Sequence, residues 1–476
     1  MESIYKTITF DHWEFILSQQ KNIIIIGCGA GGGTAAQFVR KTDRKANITV
    51  FEKGPFPQYS KCGLPYAISG RIPNSPDLIE FSEEWFKKAK IELFLNTNVE
   101  TIDTNKKIIY AKKGKDIIEK SYDKLIITTG AKPFIPTIEN IKSENKPVNG
   151  VFTLRTINDA ENISNFIKKG DSAVIVGAGF IGLELAESFK EKGLKVTVIE
   201  ALESILPRIF DSDMSTLIEK ELSDNIQIIT NHLVTKIETQ NNKVSNVVIK
   251  NNKTNSEAKI KTDILVIGAG CRAETTLAKN AGCLIGKCGG IVVNNKSETS
   301  VKNVYAAGDC TEFIDFISKK EVPVGLGSIA VRQAIAAGVN AAGGEYNLPD
   351  GVLQTCTSTF FGLEVAAVGL QSKELSDYKI ISAKYNGSSL PEYFPGGKKI
   401  TIKLNVDEKT KKILSAQAVG DKAAQRINTF ATAILSDITV ERLSKLETAY
   451  APPIAPTLDA ETLVCDIVCM KLSRLK

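Results

Sequence analysis

A chain that carries the same strand, glycine turn and helix signature twice is constrained to build the same nucleotide-sized unit twice. The first copy is Gly27-Cys28-Gly29-Ala30-Gly31-Gly32, preceded by the apolar run Ile23 to Ile26 and followed by the helix-forming stretch Thr34 to Arg40. The second, 150 positions on, is Gly177-Ala178-Gly179-Phe180-Ile181-Gly182 after Ala173-Val174-Ile175-Val176. Such glycines permit a tight turn, let backbone approach a pyrophosphate and pack helix on strand, while the helix N-terminus offers unpaired N–H groups to phosphate. Glu52, followed by Lys53, closes the strand Ile48 to Phe51, and Glu200 closes Val196 to Ile199. A carboxylate at that place holds a ribose hydroxyl pair. The pattern predicts two dinucleotide sites.

A third segment, Ser300 to Cys310, is an apolar strand ending in Ala306-Ala307-Gly308-Asp309. With both fingerprints, it resembles the flavin-dependent pyridine nucleotide–disulfide oxidoreductase family, in which such a Gly-Asp element hydrogen-bonds the ribityl chain of FAD. The resemblance covers nearly the whole chain. It implies FAD at Gly27, Gly29, Ala30, Gly31, Gly32, Glu52, Lys53, Gly308 and Asp309, and NAD(P)H at Gly177, Gly179, Phe180, Ile181, Gly182 and Glu200. Thr129-Gly130 and Gly268-Ala269-Gly270 resemble the crossings between the two nucleotide domains. Glu184 resembles the residue beside nicotinamide and flavin; a solvated helix carboxylate is the alternative. Glu200 predicts NADH over NADPH by repelling a 2′-phosphate, although Arg208 lies close in sequence.

Between the fingerprints stands Cys62, in Lys61-Cys62-Gly63-Leu64-Pro65-Tyr66. Cysteine can take two electrons, bond to a substrate sulfur and be regenerated, and the thiolate is the active form. Lowering a thiol pKa from ~8.5 to ~7 takes roughly 2 kcal/mol, whereas a helix N-terminus contributes ~0.3–1 kcal/mol. A helix from Leu64 to Gly70 is therefore insufficient alone, and contact with oxidised flavin is expected to supply the rest, with a long-wavelength charge-transfer absorbance. Dithiol members of the family carry a second cysteine five positions away and a histidine base in the interface domain. Here Pro57 and Ala67 stand at those offsets, and the only histidines are His12 and His232. The peroxidase and oxidase branch has a histidine in the first glycine turn, which reads Ala30-Gly31-Gly32 here.

The single-cysteine branch of coenzyme A-disulfide reductases, NADH oxidases and sulfur reductases shares the Cys-Gly-Leu-Pro-Tyr context. It also shares Tyr450-Ala451-Pro452-Pro453 and, with one change, Tyr393-Phe394-Pro395-Gly396. The resemblance implies that Tyr450 and Tyr393 reach the partner subunit's site as acids or hydrogen-bond donors; buried interface aromatics are the alternative. Gln58 replaces the branch's usual serine. Arg40, Lys41 and Arg71 read either as holders of substrate phosphates or as surface helix charges.

The predicted fold class is α/β: two doubly wound, Rossmann-like dinucleotide-binding domains plus a C-terminal α+β dimerisation domain. The expected divisions are an N-terminal extension 1–21, an FAD domain 22–149 with 271–345, an NAD(P)H domain 150–270, and an interface domain 346–476. His12 and Trp13 in the extension suggest only a docking helix. A net charge of +6 spread along the chain, without a basic cluster, argues against nucleic acid. No apolar run approaches the ~18 to 20 residues of a membrane helix, and the polar start lacks the basic region of a signal peptide. Nine cysteines without zinc-site spacing fit reduced cytoplasmic thiols and no metal. Cys283 and Cys288 read as structural, and Cys465 and Cys469, four apart on one helical face, as core residues or a second thiol relay. The expectation is a cytoplasmic homodimer using FAD and NADH, with NADPH as the alternative donor. Electrons pass through Cys62 to a small disulfide, persulfide or polysulfide. An NADH oxidase reducing O2 at the flavin and a slow redox sensor are the other readings.

Overall fold

The computed structural model describes residues 20–143 and 146–475; His12 and Trp13 lie outside the described residues. The apolar runs become buried parallel strands, as continuous apolar sequence requires when helices cover both faces of a sheet. In the first sheet the order is Val304–Ala306, Lys124–Ile127, Asn22–Ile26, Asn47–Phe51, Ile91–Phe94. Its pairings are all parallel. The second sheet repeats the design with Val151–Thr153, Ile264–Ile267, Ser172–Val176, Lys195–Ile199 and Gln227–Ile229, again all parallel.

The repeat extends beyond the fingerprints. Each unit runs from its outermost strand through a three-stranded antiparallel meander before returning to the strand beside its first. These meanders are Asn98–Asp103, Ile108–Lys113, Asp116–Ser121, and His232–Gln240, Lys243–Asn251, Glu257–Lys261. The short strands Ala131–Pro133 and Cys271–Ala273 pair antiparallel, side by side, where the chain passes between the units. The helix Gly327–Ala342 closes the first unit by packing on Ala30–Thr42. A Cβ on Gly338 would come within 2.6 Å of the Ala35 carbonyl oxygen, so the small residue permits the close helix approach.

The C-terminal part forms an antiparallel sheet in the order Cys356–Phe360, Leu363–Gly369, Ile413–Gly420, Lys399–Asp407, Ile380–Ser388. One face is covered by the helices Ala423–Leu435 and Ala460–Ser473, where Phe430, Ile434, Val464, Cys465 and Val468 complete a core. The other places Phe360, Val365 and Ala367 in the core shared with the second nucleotide unit and with Leu64 and Ile68 behind Cys62. Among the described residues, no helix is long and apolar enough to cross a membrane.

Candidate active site

The two fingerprints fold alike. Gly27 and Gly177 adopt φ of +96° and +104°, a left-handed backbone that side chains resist. Added Cβ atoms on Gly32 and Gly182 would collide with the carbonyl oxygens of Gly27 and Gly177. Gly29 and Gly179 differ, because a Cβ there meets nothing within 4 Å. These two residues are the N-caps of Ala30–Thr42 and Phe180–Glu191, and no side chain caps either helix. The helix starts are thus open to an anion.

The acidic partners match too. Glu52 accepts the N–H of Cys28 and of Gly54, both at 2.7 Å. Glu200 accepts those of Ala178 at 2.8 Å and Leu202 at 2.9 Å. Each carboxylate ties its glycine turn to the loop after its own strand.

A cleft of about 1880 Å3 joins these elements. Its wall includes Gly27, Gly29, Ala30, Gly31, Glu52, Lys53, Thr129 and Gly130, then Gly179, Phe180, Ile181, Glu184, Gly268 and Gly270, and finally Gly308, Asp309 and Cys62. Gly32, Gly177, Gly182 and Glu200 are not on that wall. Two buried polar atoms on it have no hydrogen-bond partner among the described residues: Gln58 Oε1 and Gln333 Nε2. Gln333 uses its Oε1 to accept the Gly308 N–H at 2.9 Å and the Thr311 hydroxyl at 3.0 Å. Open helix starts, an orphan donor and an orphan acceptor fit a polar, phosphate-bearing cofactor.

Cys62 lies in the one-turn helix Lys61–Gly63, directly before the helix Leu64–Ser69, which Gly70 ends at φ +86°. The residue is exposed to the cleft, yet enclosure by the cleft walls pushes its thiol up. Glu184 and then Asp309 push the same way, and Arg155 pulls down. Glu184 is itself raised, chiefly by burial, and its Oε1 accepts the Ser358 hydroxyl at 2.6 Å.

Tyr393 and Tyr450 are hydrogen-bonded to each other, Oη to Oη at 2.8 Å, and are 71% and 47% exposed. Neither lines the cleft of its own chain. The structure also keeps Arg40, Lys41 and Arg71 off the cleft wall. The Arg40 guanidinium donates to the carbonyl oxygens of Ala89, Asp43, Arg44 and Lys90. Lys41 lies over the Phe38 ring. Arg71 pairs with Glu187 at 2.6 Å and with Glu191. Arg40 and Arg71 are thereby occupied by the protein itself.

Sequence reasoning missed Arg155, Gln333, Ser358 and Cys356. No glycine pattern or motif marks them, and only the folded chain brings them to the cleft region. Cys356 shares the cleft wall with Cys62, and burial pushes its thiol up to about 12. His232 lies off the cleft, with Nδ1 2.7 Å from the Thr230 carbonyl oxygen.

Residues 21–337 match the profile of pyridine nucleotide-disulphide oxidoreductases, and 355–461 that of the dimerisation domain of these proteins. A protein named NADH oxidase from Methanocaldococcus jannaschii is 36% identical over 94% of this chain and 99% of its own. One named NAD(P)H sulfur oxidoreductase (CoA-dependent) from Pyrococcus abyssi is 35% identical over 93% and 97%. The solved structure of an NAD-dependent persulfide reductase from A. fulgidus superposes with a TM-score of 0.90 at 32% identity, covering 95% of this chain and 84% of that one.

Proposed function

The chain belongs to the pyridine nucleotide-disulphide oxidoreductase family, and from that premise we propose that it is a homodimeric, FAD-dependent NADH reductase of a small disulfide, persulfide or polysulfide. The observation that carries this reading is Cys62 exposed in one cleft with Gly29, Gly179 and Glu184. When bound, FAD would supply the electron pair, drawn as hydride from NAD(P)H, that breaks the bond between Cys62 and the substrate sulfur, returning Cys62 to thiolate and releasing the second substrate sulfur as thiolate.

The chain's own residues do the rest. N–H groups at the start of Ala30–Thr42 would hold the FAD pyrophosphate, and Glu52 the ribose. Asp309 and Gln333 offer an acceptor and a donor along the cleft. The start of Phe180–Glu191 would receive NADH, with Glu184 on the cleft wall one turn on. Cys62 attacks one sulfur of the acceptor: the Cys62–sulfur bond forms, the acceptor S–S bond breaks, and the departing thiolate takes a proton. Tyr450 and Tyr393, exposed and away from their own cleft, suit donation of that proton to the site of the second copy.

All nine cysteines are free, which suits a reducing, cytoplasmic setting. The relatives named for sulfur and persulfide reduction support the sulfur acceptor, and the relative named NADH oxidase supports O2 as a second reading. Steady-state NADH oxidation with CoA disulfide, polysulfide, glutathione disulfide and O2, side by side, tests both. Loss of sulfur turnover in Cys62→Ser is expected; rapid O2 consumption by that variant with no sulfur activity in the parent would favour the oxidase.

A further inference from the structure

The turn between the strand Val151–Thr153 and the helix Ile157–Phe166 carries an arginine into the cofactor cleft. Arg155 is 16% exposed, and its Nη2 donates to Asp309 Oδ2 at 2.7 Å. Its Nε donates to the Ala131 carbonyl oxygen at 3.1 Å, and its backbone N–H to Asp159 Oδ2 at 3.0 Å. The side chain thus spans from the second nucleotide unit to two segments of the first. A planar guanidinium satisfies two fixed acceptors at once, which a lysine ammonium on a flexible stem does less well.

The charges around Cys62 come from separate elements. Glu184 lines the cleft with Cys62 from the helix Phe180–Glu191, Asp309 from the segment after Val304–Ala306, and Arg155 from the turn before Ile157. Lys61 and Tyr66 flank it on its own segment. Lys61 is itself held down, first by burial and then by Arg155. Two carboxylates and one guanidinium therefore bear on the sulfur. Without Arg155, the Asp309 carboxylate loses its partner, and a partly buried unpaired carboxylate is costly.

We infer that Arg155 is a positioning residue of the redox site: its guanidinium holds the Asp309 carboxylate in the cofactor cleft and supplies a positive charge that offsets part of the negative charge of Glu184 and Asp309 near the Cys62 sulfur. The inference rests on the reading of Cys62 as the electron-carrying thiol.

The test uses FAD-loaded protein and two readouts besides turnover. One is the pH profile of iodoacetamide alkylation at Cys62, followed by peptide mass spectrometry to separate it from the exposed Cys271 and Cys288. The other is the rate of FAD release. In Arg155→Met the alkylation midpoint moves to higher pH, each unit being about a tenfold lower thiolate population below the midpoint, and FAD leaves faster. Arg155→Lys keeps the charge, so its midpoint stays closer to the parent's while FAD still loosens. Asp309→Asn removes one of the two carboxylates and moves the midpoint to lower pH. A general loosening of the fold would shift all three variants in one direction. A midpoint in Arg155→Met at or below the parent's overturns the charge role, and parental FAD release overturns the Asp309 role. Disulfide reduction by Cys62→Ser is measured separately. Its persistence would remove the reading of Cys62, whereas the Arg155 effects are decided by alkylation and FAD release.

Discussion

The Ser358 hydroxyl donates a 2.6 Å hydrogen bond to Glu184 Oε1, joining the first strand of the interface domain to the helix at the second fingerprint. Burial raises the Glu184 carboxyl and this bond lowers it. Ser358→Ala therefore raises it further. A carboxyl whose folded-state pKa is raised favours the fold at low pH and loses that contribution as pH rises through the folded value. The variant should be destabilised by about 1–2 kcal/mol at mildly alkaline pH and by less at mildly acidic pH. Thermal unfolding at both pH values checks this; an equal loss at both would sink it.

The glycines of one fingerprint should separate by substitution. Gly32→Ala directs a methyl group into the Gly27 carbonyl oxygen and should cost more than about 3 kcal/mol or abolish soluble protein. Gly29→Ala meets only open cleft, so stability without cofactor stays within about 0.5 kcal/mol while FAD retention falls. Fluorescence titration of FAD and denaturant unfolding decide it; unchanged FAD affinity in Gly29→Ala would contradict the assignment.

Glu200 places both carboxylate oxygens on backbone N–H groups, of Ala178 and Leu202. Glu200→Ala should lower the ratio of NADH to NADPH catalytic efficiency by roughly tenfold, about 1.4 kcal/mol of discrimination. A ratio that stays constant or rises would move the donor preference to other residues, with Arg208 the first to examine.

Tyr450→Phe removes the phenol that Tyr393 shares. Both rings are exposed, so stability should change by less than about 0.5 kcal/mol. Disulfide reduction should fall by about 10²-fold without loss of NADH binding. Turnover equal to the parent's across pH would leave the tyrosine pair as interface packing only.

Glu461 shares the buried Arg426 with Asp459, whose carboxylate takes the Nε at 2.6 Å and an Nη at 3.0 Å. Burial first, then Asp459, pushes the Glu461 carboxyl up to about 7. The sign follows: stability is greatest below the ordinary glutamate range and is lost as pH rises toward 7. Glu461→Gln avoids that ionisation and should gain on the order of 2 kcal/mol relative to the parent above pH 7, with little gain in acid. Melting temperatures of both proteins across pH measure it, and a gain independent of pH would show packing as the cause.

The parts legible in the chain were those written in local sequence. Apolar runs, glycine turns and closing glutamates are contiguous, and their periodicity and φ demands follow from backbone sterics, so both parallel sheets and the antiparallel interface sheet could be read ahead. The meander in each unit extended a repeat that the glycines alone had shown only at their own positions. Arg40 and Arg71 were harder, because a charge in sequence does not say what it meets. Folded, Arg40 caps backbone carbonyls and Arg71 pairs with Glu187 and Glu191.

By itself the sequence determined two nucleotide-binding units with a cysteine between their fingerprints, because such motifs carry their geometry in consecutive residues. Only tertiary structure decided what surrounds that sulfur. Asp309, Glu184 and Arg155 lie apart along the chain and carry no shared pattern, and Ser358 reaches Glu184 from a strand of the C-terminal sheet. Their electrostatic balance at Cys62 depends on distances and burial, which separation in sequence does not encode.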